Sequence, residues 1–201
     1  MKVLGIVCSP RKNGNTETLV EEALSSARSY GAETEIINVS DKNITPCDGC
    51  ESCVLTEKCK IKDDMQVIYE KLLQSDGIIF GSPVYFWNVS AQAKTIIDRT
   101  FFLSRKRQLR NKVAGAIVIY RNSGASFALS ALNNFFGLQR MIRARSIGSR
   151  TEEEIASEGG CGVIAHADKR GEVSKNKQAM IQAQALGRAM VETIQVLSSH
   201  K

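Results

Sequence analysis

At 201 residues, with 43% hydrophobic and 24% charged side chains, the chain is long enough for one α/β domain that buries roughly 70% of its unfolded surface without a metal to complete the core. Its 27 Lys and Arg against 21 Asp and Glu leave a net charge of +6. No apolar run reaches membrane-spanning length, and Arg11 and Lys12 follow the first apolar stretch instead of preceding it as in a secretory signal; a cytoplasmic protein without a membrane partner is expected.

In chain order, residues 3–7 form a near-continuous apolar run closed by Pro10 and Gly14, the pattern of a central parallel strand. A helix over 16–30 turns Leu19, Val20, Ala23, Leu24 and Ala27 inward, and residues 35–39 read as a second strand. A cysteine-rich loop over 43–63 interrupts the alternation before a helix over 64–74. Residues 76–81 form the third strand, ended by Ser82 and Pro83, and Val89, Ala93, Ile96, Ile97 and Phe101 mark the next helix. The fourth strand spans 113–120. The helix over 126–139 is apolar on nearly every side, as expected of a buried element or a subunit contact. A weak strand over 141–147 carries Arg143 and Arg145 as edge protection, Gly159 to Gly162 form a loop, and a last helix covers 174–198 with a core-facing stripe. This alternation predicts one flavodoxin-like domain over 1–201. Its doubly wound parallel sheet has five strands in the order 2-1-3-4-5, with ligands at the strands' carboxyl ends near the switch point.

Cys47, Cys50 and Cys53 stand at C-x2-C-x2-C spacing and Cys59 follows five residues later, so four thiols fall within thirteen residues. Such crowding suits a metal centre, and a [4Fe–4S] cluster is favoured because one loop supplies all four ligands. The last spacing is longer than in bacterial ferredoxins and no Pro follows it. Zinc remains an alternative, although it usually takes two C-x2-C knuckles further apart, and a disulfide pair is the plainest one. Cys8, Cys161 and His166 read as structural.

Between the first strand and first helix, residues 9–16 match neither G-x-G-x-x-G nor G-x4-G-K-[ST]. Hydroxyls, amides and basic residues without an acid, placed at a helix N-terminus, suit a phosphate, with an ordinary helix cap as the alternative. After the third strand, Tyr85, Phe86 and Trp87 are costly to expose unless they meet a ligand or partner, and core packing is the other reading. Residues 120–124 would border the same pocket. Arg105, Lys106, Arg107, Arg110 and Lys112 form a basic stretch, read either as a solvated face or as a dock for an acidic redox partner or anionic cofactor. No aromatic interleaving or nucleic-acid module accompanies it, so nucleic acid is not an expected partner.

Ser9-Pro10-Arg11, Gly14-Asn15-Thr16, Gly81-Ser82-Pro83-Val84-Tyr85, Val89-Ser90-Ala91-Gln92 and Asp98-Arg99 resemble the NADPH-dependent FMN reductase superfamily. With Cys47, Cys50, Cys53 and Cys59 added, the chain is similar to its iron–sulfur flavoproteins. The resemblance implies FMN beside a [4Fe–4S] cluster in a homodimer or homotetramer. Ser9, Arg11, Asn15 and Thr16 would hold the FMN phosphate, while Pro83, Val84, Tyr85, Phe86, Trp87 and Asn88 line the isoalloxazine ring. Cys8 stands where the family often has Gly. The expected function is electron transfer from a ferredoxin-like donor through the cluster to FMN, and on to a small-molecule acceptor such as dioxygen, hydrogen peroxide or a quinone. One rival is an FMN or quinone reductase fed by NAD(P)H, with structural or zinc-bound cysteines; another is a non-enzymatic, metal-clipped binding module. No catalytic side chain is expected, because His166 and His200 are the only histidines and no nucleophile–base pair stands out.

Overall fold

The computed structural model of the protein describes residues 1–144 and 162–199. Its centre is β1 (Lys2–Val7), buried from Val3 onward because parallel strands flank it on both edges and helices cover both faces. β2 (Glu33–Asn38) pairs with one edge of β1, and β3 (Gly77–Tyr85) with the other. β5 (Val113–Tyr120) follows beside β3. Strand alternation divides the core. Leu4, Ile6, Ile78 and Phe80 point into one layer with α3 (Met65–Gln74), α4 (Ala91–Arg99), the short α5 (Phe101–Arg105) and α6 (Ala125–Leu138). Val3, Val7 and Ile79 point into the other, with α1 (Asn15–Ser29) and α7 (Lys177–Ser199). Ala183, Gly187, Met190 and Ile194 are buried along α7, so the stripe expected from the sequence faces the core; at Gly187 the two helix backbones meet too closely for a side chain.

The expected order holds for the first four positions, and the fifth is corrected. Two short strands share it: β6 (Ile142–Arg143) pairs with Val113 and Ala114, and β7 (Val163–His166) with residues 117–120 of the same β5 edge. With the small β4 (Asn88–Val89) antiparallel to the end of β3, the sheet has seven strands among the described residues. Four residues of alternating burial in β7 are too short a pattern to separate from a loop. The expected strand at 145–147, together with Gly159, Gly160, Cys161 and His200, lies outside the described residues.

Two further expectations change. β3 does not stop at Ser82 and Pro83 but continues to Tyr85. In α6 one face is buried through Leu129, Leu132, Phe135 and Phe136, whereas Phe127 near its start and Leu138 at its end are 56% and 80% exposed. Among the described residues no helix is long and apolar enough to cross a membrane.

Candidate functional site

The turn from β1 into α1 lies at the carboxyl edge of the sheet. Cys8 donates its backbone N–H to Gly81 O at 2.8 Å, and its buried thiol is pushed up by desolvation, which makes it a packing residue. Ser9 is buried, and its Oγ accepts the Arg11 N–H at 3.1 Å, which folds the loop back on itself. Gly14 caps α1 without any side-chain bond, so no side chain occupies the N–H groups of the first turn. An uncapped helix N-terminus with a buried hydroxyl and the exposed Arg11 beside it fits an anionic group.

Thr16 is buried with its methyl against Gly81, where an added Cβ would approach it to 2.9 Å. Asn15 plays a part the sequence did not suggest. Its Nδ2 donates to Lys169 O at 2.8 Å and its Oδ1 accepts from Val173 N–H at 3.3 Å, while Arg170 donates to the carbonyls of Lys12 and Asn13. The segment after β7 therefore braces this loop across more than 150 residues of chain. Glu17, the first acid beyond the loop, accepts the Asn13 N–H at 2.5 Å.

Tyr85, Phe86, Trp87 and Asn88 form the tip of a hairpin: Tyr85 pairs with Asn88, and Val84 with Val89. Phe86 and Trp87 both adopt left-handed backbone, φ 45° and 61°, the pattern of a type I′ turn that Asn-Gly would favour. Holding two bulky aromatics there stores strain. Phe86 is fully exposed, whereas Trp87 stacks on Phe127 at 5.4 Å between ring centres. Gly124, φ +89°, backs onto Trp87, and a Cβ there would come within 2.6 Å of the Trp87 Cα. Pro83 and Val84 are half-buried behind the tip, and the Asn88 side chain accepts the Val89 N–H at 2.8 Å.

The cysteine loop contains a short helix, α2 (Ser52–Thr56), entered through Glu51 and left through Glu57, both left-handed. Cys47, Cys50, Cys53 and Cys59 all line one cavity of about 760 Å³, whose other wall is Phe101 and Phe102 of α5 with Phe135 and Leu138 of α6. Among the described residues no three His, Cys, Asp or Glu side chains converge on a single-ion site. The four cysteines line a cavity with room for a multi-atom centre, and the Cys53 thiol is raised by burial and by the other three cysteines. Four thiols on one cavity fit a cysteine-ligated centre.

Arg99, at the end of α4, holds this loop to the domain. Its side chain is fully buried and forms a fork with Asp63 at 2.7 and 3.0 Å. It also donates to Thr45 O at 2.6 Å, Ile61 O at 3.4 Å and the Tyr69 hydroxyl at 3.3 Å, so every guanidinium N–H has a partner. Burial opposes ionisation of both partners, but their mutual bonds outweigh it, leaving Asp63 below and Arg99 above their ordinary values. Asp63 also accepts the N–H groups of Thr45 and Met65, and Asp64 that of Asn43, which ties together the two stems of the loop. Asp98-Arg99 carried part of the family resemblance, yet nothing in the sequence assigned Arg99 this role.

Within one chain the aromatic tip and the cysteine cavity meet different stretches of α6. Trp87 stacks on Phe127 near its start, and the cysteine cavity runs along the helix from Ala131 to Leu138.

The profile of the NADPH-dependent FMN reductase family matches residues 1–151. An iron–sulfur flavoprotein of Methanocaldococcus jannaschii is 40% identical over 199 residues, covering 98% of this chain and 99% of the relative. An iron–sulfur flavoprotein of Methanosarcina thermophila is 39% identical over 145 residues, covering 71% and 76%. Among solved structures, an archaeal flavodoxin superposes with a TM-score of 0.62 at 15% identity, over 97% of this chain and 99% of that one, a likeness of fold.

Proposed function

The chain belongs to the NADPH-dependent FMN reductase family, among its iron–sulfur flavoproteins, and we propose that it is an FMN-dependent oxidoreductase whose four clustered cysteines hold a [4Fe–4S] centre. The observation that carries this reading is the shared cavity of Cys47, Cys50, Cys53 and Cys59, in a chain alignable almost end to end with an iron–sulfur flavoprotein. When bound, the cluster supplies single-electron transfer and FMN couples it to two-electron chemistry. Ser9, Arg11, Thr16 and the first-turn N–H groups of α1 would hold the FMN phosphate, with Asn15 fastening the loop from behind. Pro83, Val84 and the hairpin tip of Tyr85, Phe86, Trp87 and Asn88 would frame the flavin ring.

The basic stretch supports a single-electron donor of acidic, ferredoxin-like type. Arg105, Arg107 and Arg110 are exposed in the stretch that follows Ser104, a lining residue of the cysteine cavity, and Lys106 pairs with Glu57 of the loop itself. The assembly would be a homodimer or homotetramer. The terminal acceptor would be a small molecule such as dioxygen, hydrogen peroxide or a quinone.

Anaerobically purified protein is expected to hold about four irons, four sulfides and one FMN per chain. Stoichiometric zinc without labile sulfide would overturn the cluster. Direct feeding by NAD(P)H is the second reading, favoured by the family match and by a 30% identical Bacillus subtilis relative named as a putative NAD(P)H-dependent FMN-containing oxidoreductase. Stopped-flow reduction of the wild type and of Cys53→Ala separates the two: fast reduction of both by NADPH installs the second reading.

A further inference from the structure

Between the candidate phosphate loop and the start of the cysteine loop lies a second cavity, of about 290 Å³. Pro10 of the first loop lines it, with Ser40 of the 3-10 turn after β2, Lys42 and Asn43 where the second loop begins, and Gln92 and Thr95 of α4. None of the cysteines and none of the residues assigned to FMN is in its lining. Two of the lining residues carry buried polar atoms without a partner, Ser40 Oγ and Gln92 Oε1. Ser40 donates its backbone N–H to Asn38 Oδ1 at 3.1 Å, and Asn43 bonds to Asp64 through its own backbone N–H and carbonyl. Leaving a buried polar atom unpaired is costly, and most such atoms in folded proteins meet protein, water or ligand. The space far exceeds the roughly 30 Å³ of one water and stands at the small end of the range for small-molecule sites.

The lining selects what can satisfy it. Gln92 Oε1 only accepts, so the group that meets it must donate, which an ionised carboxylate cannot do. An ammonium ligand would face Lys42, the one charged residue of the lining, whose Nζ already pairs with Asp41 Oδ1 at 3.0 Å. A hydroxyl can donate to Gln92 and accept from Ser40. We propose that this cavity binds a small, neutral, multiply hydroxylated molecule of the size of a ribose. Gln92 and Ser40 are its principal contacts, and Asn43 and Thr95 add further hydrogen-bonding groups. Pro10 stands between Ser9 and Arg11, and Asn43 opens the cysteine loop, so the occupant touches both loops. The site does not rest on the FMN or the cluster reading.

The test is saturation-transfer NMR with D-ribose on full-length protein kept in excess FMN, so that any FMN site is filled before the probe is added. Wild type should transfer saturation to ribose. Gln92→Leu should weaken ribose binding about fivefold while the thermal midpoint holds or rises, because an apolar group replaces an unpaired buried one. Ser40→Ala keeps the backbone bond to Asn38 and should weaken ribose about twofold or more; it decides the matter if Gln92→Leu does not fold. FMN affinity by fluorescence titration should match the wild type in both. Succinate, which carries acceptors and no donors at neutral pH, should not displace ribose. NADP+ separates two sources of the same chemistry: displacement of ribose points to a nucleotide-borne ribose, and its absence to a free sugar or polyol. The proposal is overturned if wild type transfers nothing to ribose, which leaves an ordered-water site only, or if a folded Gln92→Leu binds ribose as the wild type does. Displacement by succinate, or a loss of FMN affinity in either variant, would overturn it as well.

Discussion

At the start of α6, Phe86 and Trp87 keep left-handed backbone because β3 and β4 close a two-residue hairpin around them, with Gly124 and Phe127 filling the space behind. Further along α6, the cysteine loop has little such scaffolding. Its helix α2 buries none of its five residues, Cys47 and Cys50 are exposed, and the stems meet on one buried guanidinium. The first region is held by continuity with a buried strand, which is strong enough to sustain strain. The second is held chiefly by polar bonds, the buried Arg99–Asp63 fork with the Asp64–Asn43 bond beside it, and by the packing of Ile44 and Cys59 against the core. A strand-borne site should therefore bend under substitution, whereas a junction-borne site should come apart.

The sharpest way to break this contrast is Arg99→Ala, which leaves the Asp63 carboxylate buried without its partner. A loss of about 3–5 kcal/mol in urea-unfolding free energy is expected. Protease sensitivity should concentrate at residues 43–63, and a loss below about 1 kcal/mol would show that the junction is not what holds the loop.

Gly124→Ala attacks the other region. At φ +89° and with a Cβ within 2.6 Å of Trp87, it should cost about 1–3 kcal/mol. Trp87 is the only tryptophan, so a shift in its emission reports the displaced hairpin directly. Iron and sulfide content should not change, because neither Gly124 nor Trp87 lines the cysteine cavity.

Phe86→Gly should work in the opposite direction. It relieves a left-handed backbone at a fully exposed position and is expected to stabilise the fold by about 1 kcal/mol. If the hairpin frames a flavin, the same variant should bind FMN more weakly by fluorescence titration. Stabilisation without weaker binding would detach the strain from function.

The smallest effect lies away from both sites and serves as a baseline. The Lys71 and Lys2 ammonium groups, at 2.8 and 2.9 Å, hold the Glu35 carboxyl below its ordinary range. Because the folded value is depressed, the stability it adds is present above the unfolded pKa of about 4.3 and is lost as pH falls through the folded value. The gap in thermal midpoint between wild type and Glu35→Gln should therefore close on acidification, and a gap that widened instead would reverse the sign.

How much of this was legible in the sequence varies with distance along the chain. Unbroken apolar runs announced β1 and β5 because a strand buried on both faces needs no alternation, and the boundaries of β5 were read as they stand in the structure. The hairpin tip was read as a loop, since Phe86-Trp87 carries none of the Asn-Gly chemistry that marks such turns. The Asn15 brace and the Arg99–Asp63 junction join residues 154 and 36 positions apart, and no local pattern encodes a partner at that range.

By itself the sequence determined the parallel α/β layering, the family and the clustering of four thiols in one segment, because hydrophobic periodicity and ligand spacing are local properties of a chain. Only the tertiary structure decided that the fifth strand position is filled in two pieces, that the phosphate-binding candidate loop is braced by the segment after β7, and that the cysteines share a cavity walled by α5 and α6. It also decided that a lone arginine on α4 would clamp the loop. Those are outcomes of packing: the partners of a buried polar group are whichever groups the fold brings within about 3 Å, and leaving such a group without them is too costly to tolerate.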